Sequence, residues 1–308
     1  MIILIIGKNR YSKILLIGRN NPFQGAKGIN GMRESRDEIK LWRDKELHGG
    51  MEILRASCYE HSYPAHFHDE FVIAAFARGA QRTRICRERG IAAPGTVMII
   101  APGEVHTGEA VQRDEGWDYC AFYPSQALLN GVAETVLRGK GEVNFGSEGM
   151  RHDPKMARSM LQASAVLSES CDPLEKECVM YQVLNLLVGR YGERSARSGR
   201  QNVVRADIRR AVDFLQCAYM HPVSVKEIAE VAGLSEFYFM RTFQNMTGLS
   251  VHQYLTQLRL VRAKALLAKG VSAAQVASDV GFFDQSHLIK HFRAHFGTTP
   301  GVFAAASA

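Results

Sequence analysis

One pattern occurs twice in the last hundred residues of the chain. Each copy has a small residue in a first helix, a Gly at a turn, a basic residue in a second helix, and then Phe and Gly. The first copy contains Ile228, Ala229, Gly233, Arg241, Phe243, Gly248, Ser250 and Tyr254, and the second contains Val276, Ala277, Gly281, Lys290, Phe292, Gly297, Thr299 and Phe303. Equivalent positions are 48 residues apart up to the Gly and 49 afterwards, so the second turn is one residue longer. The repeat predicts two copies of one helical unit.

The residue types at the turn indicate helix-turn-helix geometry. Ala229 and Ala277 let two helices approach closely, and Gly233 and Gly281 permit the positive φ of a tight turn. Residues 253–268 predict a connecting helix with the apolar face Leu255, Leu258, Val261, Ala265 and Leu266, and with Arg259, Arg262 and Lys264 elsewhere. Two second helices held by this connector could reach major-groove segments about 34 Å apart.

These residues resemble the DNA-binding domain of the AraC/XylS family of bacterial transcription regulators. The resemblance covers about residues 204–303 and lies in GLSEFYFMRTFQNMTGLSVHQYLTQLRLVRAKALL and VASDVGFFDQSHLIKHFRAHFGTTP. It implies an all-α domain of two helix-turn-helix units joined by a long helix. Residues 204–308 carry 11 Lys and Arg against 7 Asp and Glu, and so hold over half of the net charge of +7. Positive charge is needed there for phosphate contacts.

The side chains that follow the predicted helix starts at Ser235 and Asp284 are candidates for DNA contact. They are Phe237, Tyr238, Arg241, Gln244, Gln285, Ser286, His287 and Lys290. Of these, Phe237, Arg241, Gln285, Ser286 and Lys290 match the positions at which the family reads bases. The opposite face, with Phe239, Phe243, Leu288 and Phe292, is expected to be core. Ser250 and Thr299 open the following helices, where exposed amides attract phosphate, although capping alone would also explain them.

The middle of the chain reads as short strands separated by turns, which predicts a sandwich or small barrel. The strand-like runs are EILRASCYE, FVIAAFA, QRTRICRERG, TVMIIAP and WDYCAFY, within residues 51–123. Together with HFHDEFV, PGEVHTGE and GWDY they resemble the cupin-like sensor domain of AraC-type regulators. We therefore expect a small-molecule effector inside the barrel. The candidate effector-binding residues are His66, His68, Arg82, Arg84, His106, Trp117 and Tyr119. The sequence alone does not decide which face of each strand points into the barrel.

The same histidines raise the alternative of a metal-dependent cupin enzyme fused to a DNA-binding domain. In cupin enzymes two His, a Glu and a late His bind a divalent metal. His66, His68 and His106 are available here, with Glu70 as a possible fourth ligand, but Glu70 follows His68 too soon for the enzyme pattern. We therefore favour local hydrogen bonding for these histidines and expect no metal and no cofactor. Redox sensing through Cys171 and Cys178 is a further alternative that their separation disfavours.

Two further helices follow the barrel. Asp153-Pro154 and Asp172-Pro173 each predict an N-cap with Pro at the first helical position, so helices are expected over 154–169 and 173–191. Their apolar faces include Met156, Met160, Ala163 and Leu167, and Val179, Tyr181, Val183, Leu184, Leu187 and Val188. In the family such helices commonly form a homodimer, and packing against their own barrel is the alternative.

The predicted fold class is α+β and multidomain. The expected divisions are a poorly defined extension over 1–47, a cupin-like effector-sensing barrel over 48–135, and a helical dimerisation or packing region over 136–191. A linker over 192–203 and the DNA-binding domain over 204–308 follow. The six Cys form no C-x-x-C pair, and the apolar start is too short for a membrane helix, so we expect a cytoplasmic location. No catalytic triad or phosphate loop is present. The resemblance implies a ligand-responsive regulator, more often an activator, that binds promoter DNA and contacts RNA polymerase.

Overall fold

Two antiparallel sheets face each other in the N-terminal half of the computed structural model, which describes residues 37–85, 88–137, 141–195 and 206–307. The barrel strands are β1 (Glu38–Asp44), β2 (Met51–Cys58), β3 (Tyr63–His66), β4 (Val72–Gly79), β5 (Gln81–Ile85), β6 (Glu88–Ala92), β7 (Thr96–Ile100), β8 (His106–Ala110) and β9 (Trp117–Tyr123). Two short strands, β10 (Glu142–Asn144) and β12 (Glu193–Ser195), pair with each other, and β11 (Met150–His152) joins the larger sheet.

The larger sheet has the strand order β1-β2-β9-β4-β7-β11, and the smaller one has the order β3-β8-β5-β6. Successive residues of a strand point to opposite faces. In β4, for example, Ala74 and Phe76 lie between the sheets, whereas Ile73 and Ala75 lie on the outer face of the larger sheet. The larger sheet is therefore buried on both faces, which explains its almost continuous apolar runs.

The first strand revises the predicted start of the barrel. β1 pairs with β2 along its whole length, from Glu38 opposite Ser57 to Asp44 opposite Met51. Residues 38–44 are thus part of the larger sheet rather than of an undefined extension. The remainder of the predicted extension, up to residue 36, lies outside the described residues, as do residues 196–203 of the predicted linker.

Three helices cover the outer face of the larger sheet: α1 (Gln126–Val136), α2 (Pro154–Glu169) and α3 (Pro173–Tyr191). The predicted bounds of α2 and α3 are those observed. The side chain of Asp153 accepts a hydrogen bond from the amide of Met156, and that of Asp172 accepts one from Leu174. The apolar faces of both helices pack onto their own barrel. Tyr181 differs from the prediction, because it is exposed on α3 while Met180 is buried.

The C-terminal half is entirely helical within the described residues. Its helices are α4 (Ala206–Ala218), α5 (Val225–Ala232), α6 (Glu236–Thr247), α7 (Val251–Leu267), α8 (Ala273–Asp279), α9 (Gln285–Phe296) and α10 (Pro300–Ala306). The pairs α5–α6 and α8–α9 are the two predicted helix-turn-helix units. Gly233 and Gly281 have φ of 73° and 84°, as their turns require. A Cβ at Gly281 would lie 2.7 Å from the carbonyl oxygen of Met220, so only Gly fits there.

The connecting helix α7 is buried differently from the prediction. Leu260, Ala263 and Leu267 are buried, whereas Ala265 of the predicted apolar face is exposed. The reason is that α7 packs against both helical units and also against the barrel. Lys264, predicted to lie outside the apolar face, is buried. Among the described residues, no helix combines the length and the apolar character needed to cross a bilayer.

Candidate functional site

The second helix of each unit presents a row of exposed side chains. On α6, Phe237, Tyr238, Arg241 and Gln244 are exposed, and on α9, Gln285, Ser286 and Lys290 are exposed. The predicted core residues on the opposite face, Phe239, Phe243, Leu288 and Phe292, are completely buried. Both helices can therefore present their predicted DNA-facing side chains without disturbing the core.

His287 is placed differently from the other candidates. It is half-buried, its ring lies 5.3 Å from that of Phe282 and 4.6 Å from that of His291, and its Nδ1 is buried without a hydrogen-bond partner among the described residues. The side chain thus packs along α9 rather than projecting from the helix as the prediction requires. Its amide is capped by the Asp284 carboxylate, which accepts its hydrogen bond at 2.7 Å.

The predicted helix starts are present, with one difference in capping. Ser250 forms a capping box with Gln253, and Thr299 accepts a hydrogen bond from the amide of Val302. Ser235 occupies the N-cap position of α6, but its side chain makes no capping hydrogen bond. The hydroxyl groups of Ser250 and Thr299 are thus already used within the protein. Capping accounts for both hydroxyl groups, and their contact with phosphate remains a prediction.

A small cavity of about 40 Å³ lies between the two sheets. Its walls come from both sheets and from the last turn of α9. The lining includes His66, His68, His106, Tyr63, Gln81, Tyr119, Tyr123, His295 and Phe296. The space suffices for an ion and a few water molecules, whereas pockets for larger organic ligands are several times bigger. The C-terminal half therefore closes a cavity that belongs to the barrel.

Three histidines converge in this cavity. His66 at the end of β3 is paired with His106 at the start of β8, and their ring centroids are 4.2 Å apart. His68 lies 5.0 Å from His66 and 5.3 Å from His106 by the same measure. Burial lowers the pKa of His66 and of His68 well below the usual value, and it lowers the pKa of His106 to about 4. All three imidazoles are therefore neutral near pH 7.

The other predicted effector-binding residues are distributed differently. Tyr119 lines the cavity, and Trp117 is buried beside it with ring centroids 6.3 Å apart. Arg82 and Arg84 do not line it, because Gln81, Thr83 and Ile85 of the same strand take the inward face. Arg82 is exposed and pairs with Glu109 on β8 at 3.0 Å. Arg82 and Arg84 therefore lie on the outer face of the smaller sheet rather than in the effector site that the sequence predicted.

Glu70 is also separated from the histidines. It lines a different pocket, together with Arg43, Glu52 and Ser125. Within the described part of the chain, the only group of three or more His, Cys, Asp or Glu side chains close enough to share a metal ion is His66, His68 and His106. Glu70, the possible fourth ligand, therefore does not belong to the cluster.

Sequence reasoning missed the contribution of α9 to the cavity. His295 and Phe296 reach it from the C-terminal half. One signal was available: His287, His291 and His295 recur every four residues, which places them on one face of a helix. The pattern identifies a histidine-lined face but not the surface that it contacts, because that contact joins α9 to β3, more than 200 positions earlier in the chain.

The two halves share an extensive contact around this cavity. Leu41 and Leu54 of the barrel belong to the same buried cluster as Leu260 of α7 and Phe303 of α10. The ring of Phe67 stacks on that of Tyr254, and the side-chain amide of Gln257 donates to the carbonyl oxygen of Phe67 at 3.2 Å. The halves are thus held together by apolar burial and by specific polar contacts.

The strongest polar contact in this interface is a buried ion pair. Nζ of Lys264 on α7 lies 2.5 Å from a carboxylate oxygen of Glu52 on β2, and their side chains are 7% and 4% exposed. Burial acts against the charged lysine, but the adjacent Glu52 carboxylate raises the pKa of Lys264 above its ordinary value. Arg43 adds a second, more distant cation at 3.9 Å from Glu52. The pair ties the connecting helix to the larger sheet.

A barrel with an internal cavity, joined to two helix-turn-helix units, defines a ligand-responsive transcription regulator. Comparison with known families agrees over most of the chain. Residues 48–184 match the family described as an AraC-like ligand binding domain, and residues 228–306 match a helix-turn-helix domain. The chain belongs to the AraC family of transcriptional regulators.

Related proteins span both halves of the chain. The uncharacterized HTH-type transcriptional regulator YbfI of Bacillus subtilis is 27% identical over 250 residues, which are 80% of this chain and 88% of YbfI. The Msm operon regulatory protein of Streptococcus mutans is 22% identical over 79% of this chain and 87% of its own. Fatty-acid-bound ToxT from Vibrio cholerae has the same fold, with a TM-score of 0.50 and 12% identity over 87% of this chain and 95% of ToxT.

Proposed function

We propose that α6 and α9 enter successive major-groove segments of promoter DNA and that their exposed side chains read the bases. Arg241 can offer a bidentate pair of donors to guanine, and Gln285 can pair with adenine, each contributing about 1–3 kcal/mol of discrimination. Phe237 and Ser286 complete the base-facing set, and Lys290 adds a cation near the phosphates. The support is that these side chains are exposed on helices whose opposite faces are fully buried.

The effector, in this proposal, binds the cavity between the sheets and changes how the barrel holds the C-terminal half. The observation that carries the proposal is that His295 and Phe296, at the end of the helix that carries Gln285 and Lys290, form part of the cavity wall. An effector can shift the two halves only if it binds two arrangements with different affinity. A ligand that meets the last turn of α9 satisfies this condition directly.

We assign the barrel a sensing rather than a catalytic role. The carboxylate required by the enzyme alternative, Glu70, lines another pocket. The cavity is moreover closed by a DNA-binding element, which gives a bound ligand a direct route to regulation. Cys171 and Cys178 are free thiols on the exposed surface.

We also propose that the regulator acts as a homodimer and activates transcription through contact with RNA polymerase. Leu174 and Tyr181, seven residues apart on one face of α3, are 67% and 46% exposed. Exposed apolar side chains on a helix that already covers the sheet are suited to a second copy of the chain. Sedimentation velocity with Tyr181→Glu tests this part, since a dimer through α3 should become monomeric.

The DNA-binding proposal is tested by capturing genomic fragments with the purified protein and sequencing them. The account expects enrichment of a small set of promoter fragments, with enrichment lost in Arg241→Ala/Gln285→Ala. Arg82→Ala is the matched control, because it removes an exposed arginine from the barrel. Enrichment that survives the double substitution, or that the control also abolishes, would refute base reading by α6 and α9.

A further inference from the structure

The His66, His68 and His106 side chains are arranged as ligands around a common point. One nitrogen from each ring lies within 4.8 Å of the others, and all three side chains are buried. His66 and His106 are held by the ends of two paired strands, and His68 lies two residues beyond the end of β3. Rigid placement of donor atoms is what a metal site requires.

The backbone fixes which nitrogen each ring presents. Nδ1 of His66 donates to the carbonyl oxygen of Pro64 at 2.7 Å, and Nδ1 of His106 donates to that of Glu104 at 3.0 Å. A carbonyl oxygen can only accept, so Nδ1 carries the proton and Nε2 keeps its lone pair. This outer hydrogen bond is the one that usually orients a metal-bound histidine.

Hydrogen bonding within the protein leaves the inner nitrogens unused. Among the described residues, no donor is hydrogen-bonded to Nε2 of His66 or of His106, and neither ring nitrogen of His68 has a partner. The three side chains line the cavity, where an ion or a water molecule can satisfy their inner nitrogens. Three convergent lone pairs call for a cation, and neutral imidazoles are the ligands that Zn²⁺ and its neighbours prefer over Mg²⁺ or Ca²⁺.

The C-terminal half contributes a fourth histidine to this cavity. His295 of α9 lines the same cavity, and its Nδ1 donates to the carbonyl oxygen of His291 at 2.8 Å, so its Nε2 lone pair also stays available. The cavity volume of about 40 Å³ matches an ion with a water molecule better than an organic effector. A cation held by the barrel would thus meet a residue of the helix that carries Gln285 and Lys290.

We propose that His66, His68 and His106 bind one divalent transition-metal ion, with Zn²⁺ as the first candidate, and that His295 senses its presence. The metal would then be the effector itself, in place of the organic ligand that a sensor barrel would otherwise hold. The regulatory part rests on the function proposed above. Metal binding by the three histidines stands on the cluster geometry alone.

The test begins with the full chain stripped of metal by a chelator and titrated with Zn²⁺ by calorimetry. We expect one ion per chain, and the visible spectrum of Co²⁺ bound to nitrogen ligands when Co²⁺ is used instead. His66→Gln and His106→Gln should each weaken Zn²⁺ binding at least about 100-fold. His221→Gln is the matched control, because His221 is exposed and is not part of the cluster. Far-UV circular dichroism verifies that each variant is folded.

Two results would overturn the site: no stoichiometric binding by the wild-type chain, or binding that persists in a folded His66→Gln/His106→Gln variant. The regulatory part has its own readout, the affinity for a captured promoter fragment with and without Zn²⁺. We expect His295→Gln to keep one Zn²⁺ per chain while losing the response of DNA affinity to metal. Stoichiometric Zn²⁺ that leaves DNA affinity unchanged in the wild type would overturn the role of the metal as effector and leave DNA binding itself intact.

Discussion

Removing the charge of Lys264 tests whether the two halves are held by the buried ion pair. The Lys264→Met substitution keeps the length of the side chain and leaves the Glu52 carboxylate buried. Loss of one partner from a buried pair costs about 3–5 kcal/mol, because the remaining charge has lost its compensation. Arg43, at 3.9 Å and one third exposed, offsets part of this cost. We therefore expect Lys264→Met to lower the free energy of unfolding by about 3 kcal/mol, the lower end of this range.

The double substitution separates loss of the pair from loss of packing. Glu52→Met/Lys264→Met replaces both partners by apolar side chains of similar length, so its free energy of unfolding should lie within about 1 kcal/mol of the wild type. Arg82→Met is the control for an exposed pair, where Arg82 and Glu109 are both 54% exposed. A surface pair of this kind contributes at most about 1 kcal/mol.

Guanidinium denaturation provides the assay, because two signals report on different parts of the chain. Both Trp residues, Trp42 and Trp117, lie in the barrel, so fluorescence follows the barrel. Far-UV circular dichroism is dominated by the helices, and most of the described helices lie in the C-terminal half. In the wild type the two signals should change together. In Lys264→Met the midpoint should fall and the helical signal should change first. The ion pair would not be what holds the halves together if the free energy of unfolding of Lys264→Met lay within about 1 kcal/mol of the wild-type value. The same conclusion would follow if the double variant were as unstable as the single one.

Three further perturbations test other parts of the account. Arg241→Ala should weaken binding to a captured fragment about 5- to 150-fold and relax the preference at one base pair. Lys290→Ala should weaken binding to all sequences alike and reduce the salt dependence measured by mobility shift. An equal loss of affinity for all sequences in Arg241→Ala would make Arg241 a phosphate contact. Gly281→Ala should lower the stability measured by thermal unfolding by more than about 1 kcal/mol, because Gly281 has a positive φ and lies close to the Met220 carbonyl oxygen. Gly301→Ala, with open space around it inside α10, should be neutral or stabilising. Similar effects at both positions would contradict this prediction. In metal-free protein, burial lowers the pKa of His106 from 6.5 to about 4. The stability contributed by the neutral imidazole should therefore be complete above pH 6.5 and be lost as the pH falls from 6.5 towards 4. His106→Asn should reduce this pH dependence in melting experiments, and an unchanged pH dependence would contradict the prediction.

Local signals in the sequence predicted the elements whose cause is local. The Asp-Pro pairs at 153–154 and 172–173 combine an N-cap with a residue that fits the first helical turn, and both helices begin where these pairs predict. The tandem Gly and Ala positions predicted the two helix-turn-helix units for the same reason. In both cases a short run of residues determines the backbone without reference to the rest of the chain.

Features that depend on distant contacts were not predictable in the same way. Alternation in β5 placed Arg82 and Arg84 on one face, but only the opposite sheet decides which face is inward. The burial of Lys264 follows from Glu52, which precedes it by more than 200 residues. The closure of the cavity by His295 has the same origin. The candidate site was therefore recognised by its histidines and not by the helix that completes it.

Footprinting on a captured promoter fragment shows whether two linked helix-turn-helix units bind one face of the DNA. We expect two protected major-groove segments per chain, separated by about one helical turn of 34 Å. Substitutions on α6 should expose one segment and those on α9 the other. A single short protected patch per chain, or full protection after both helices are disabled, would contradict the account.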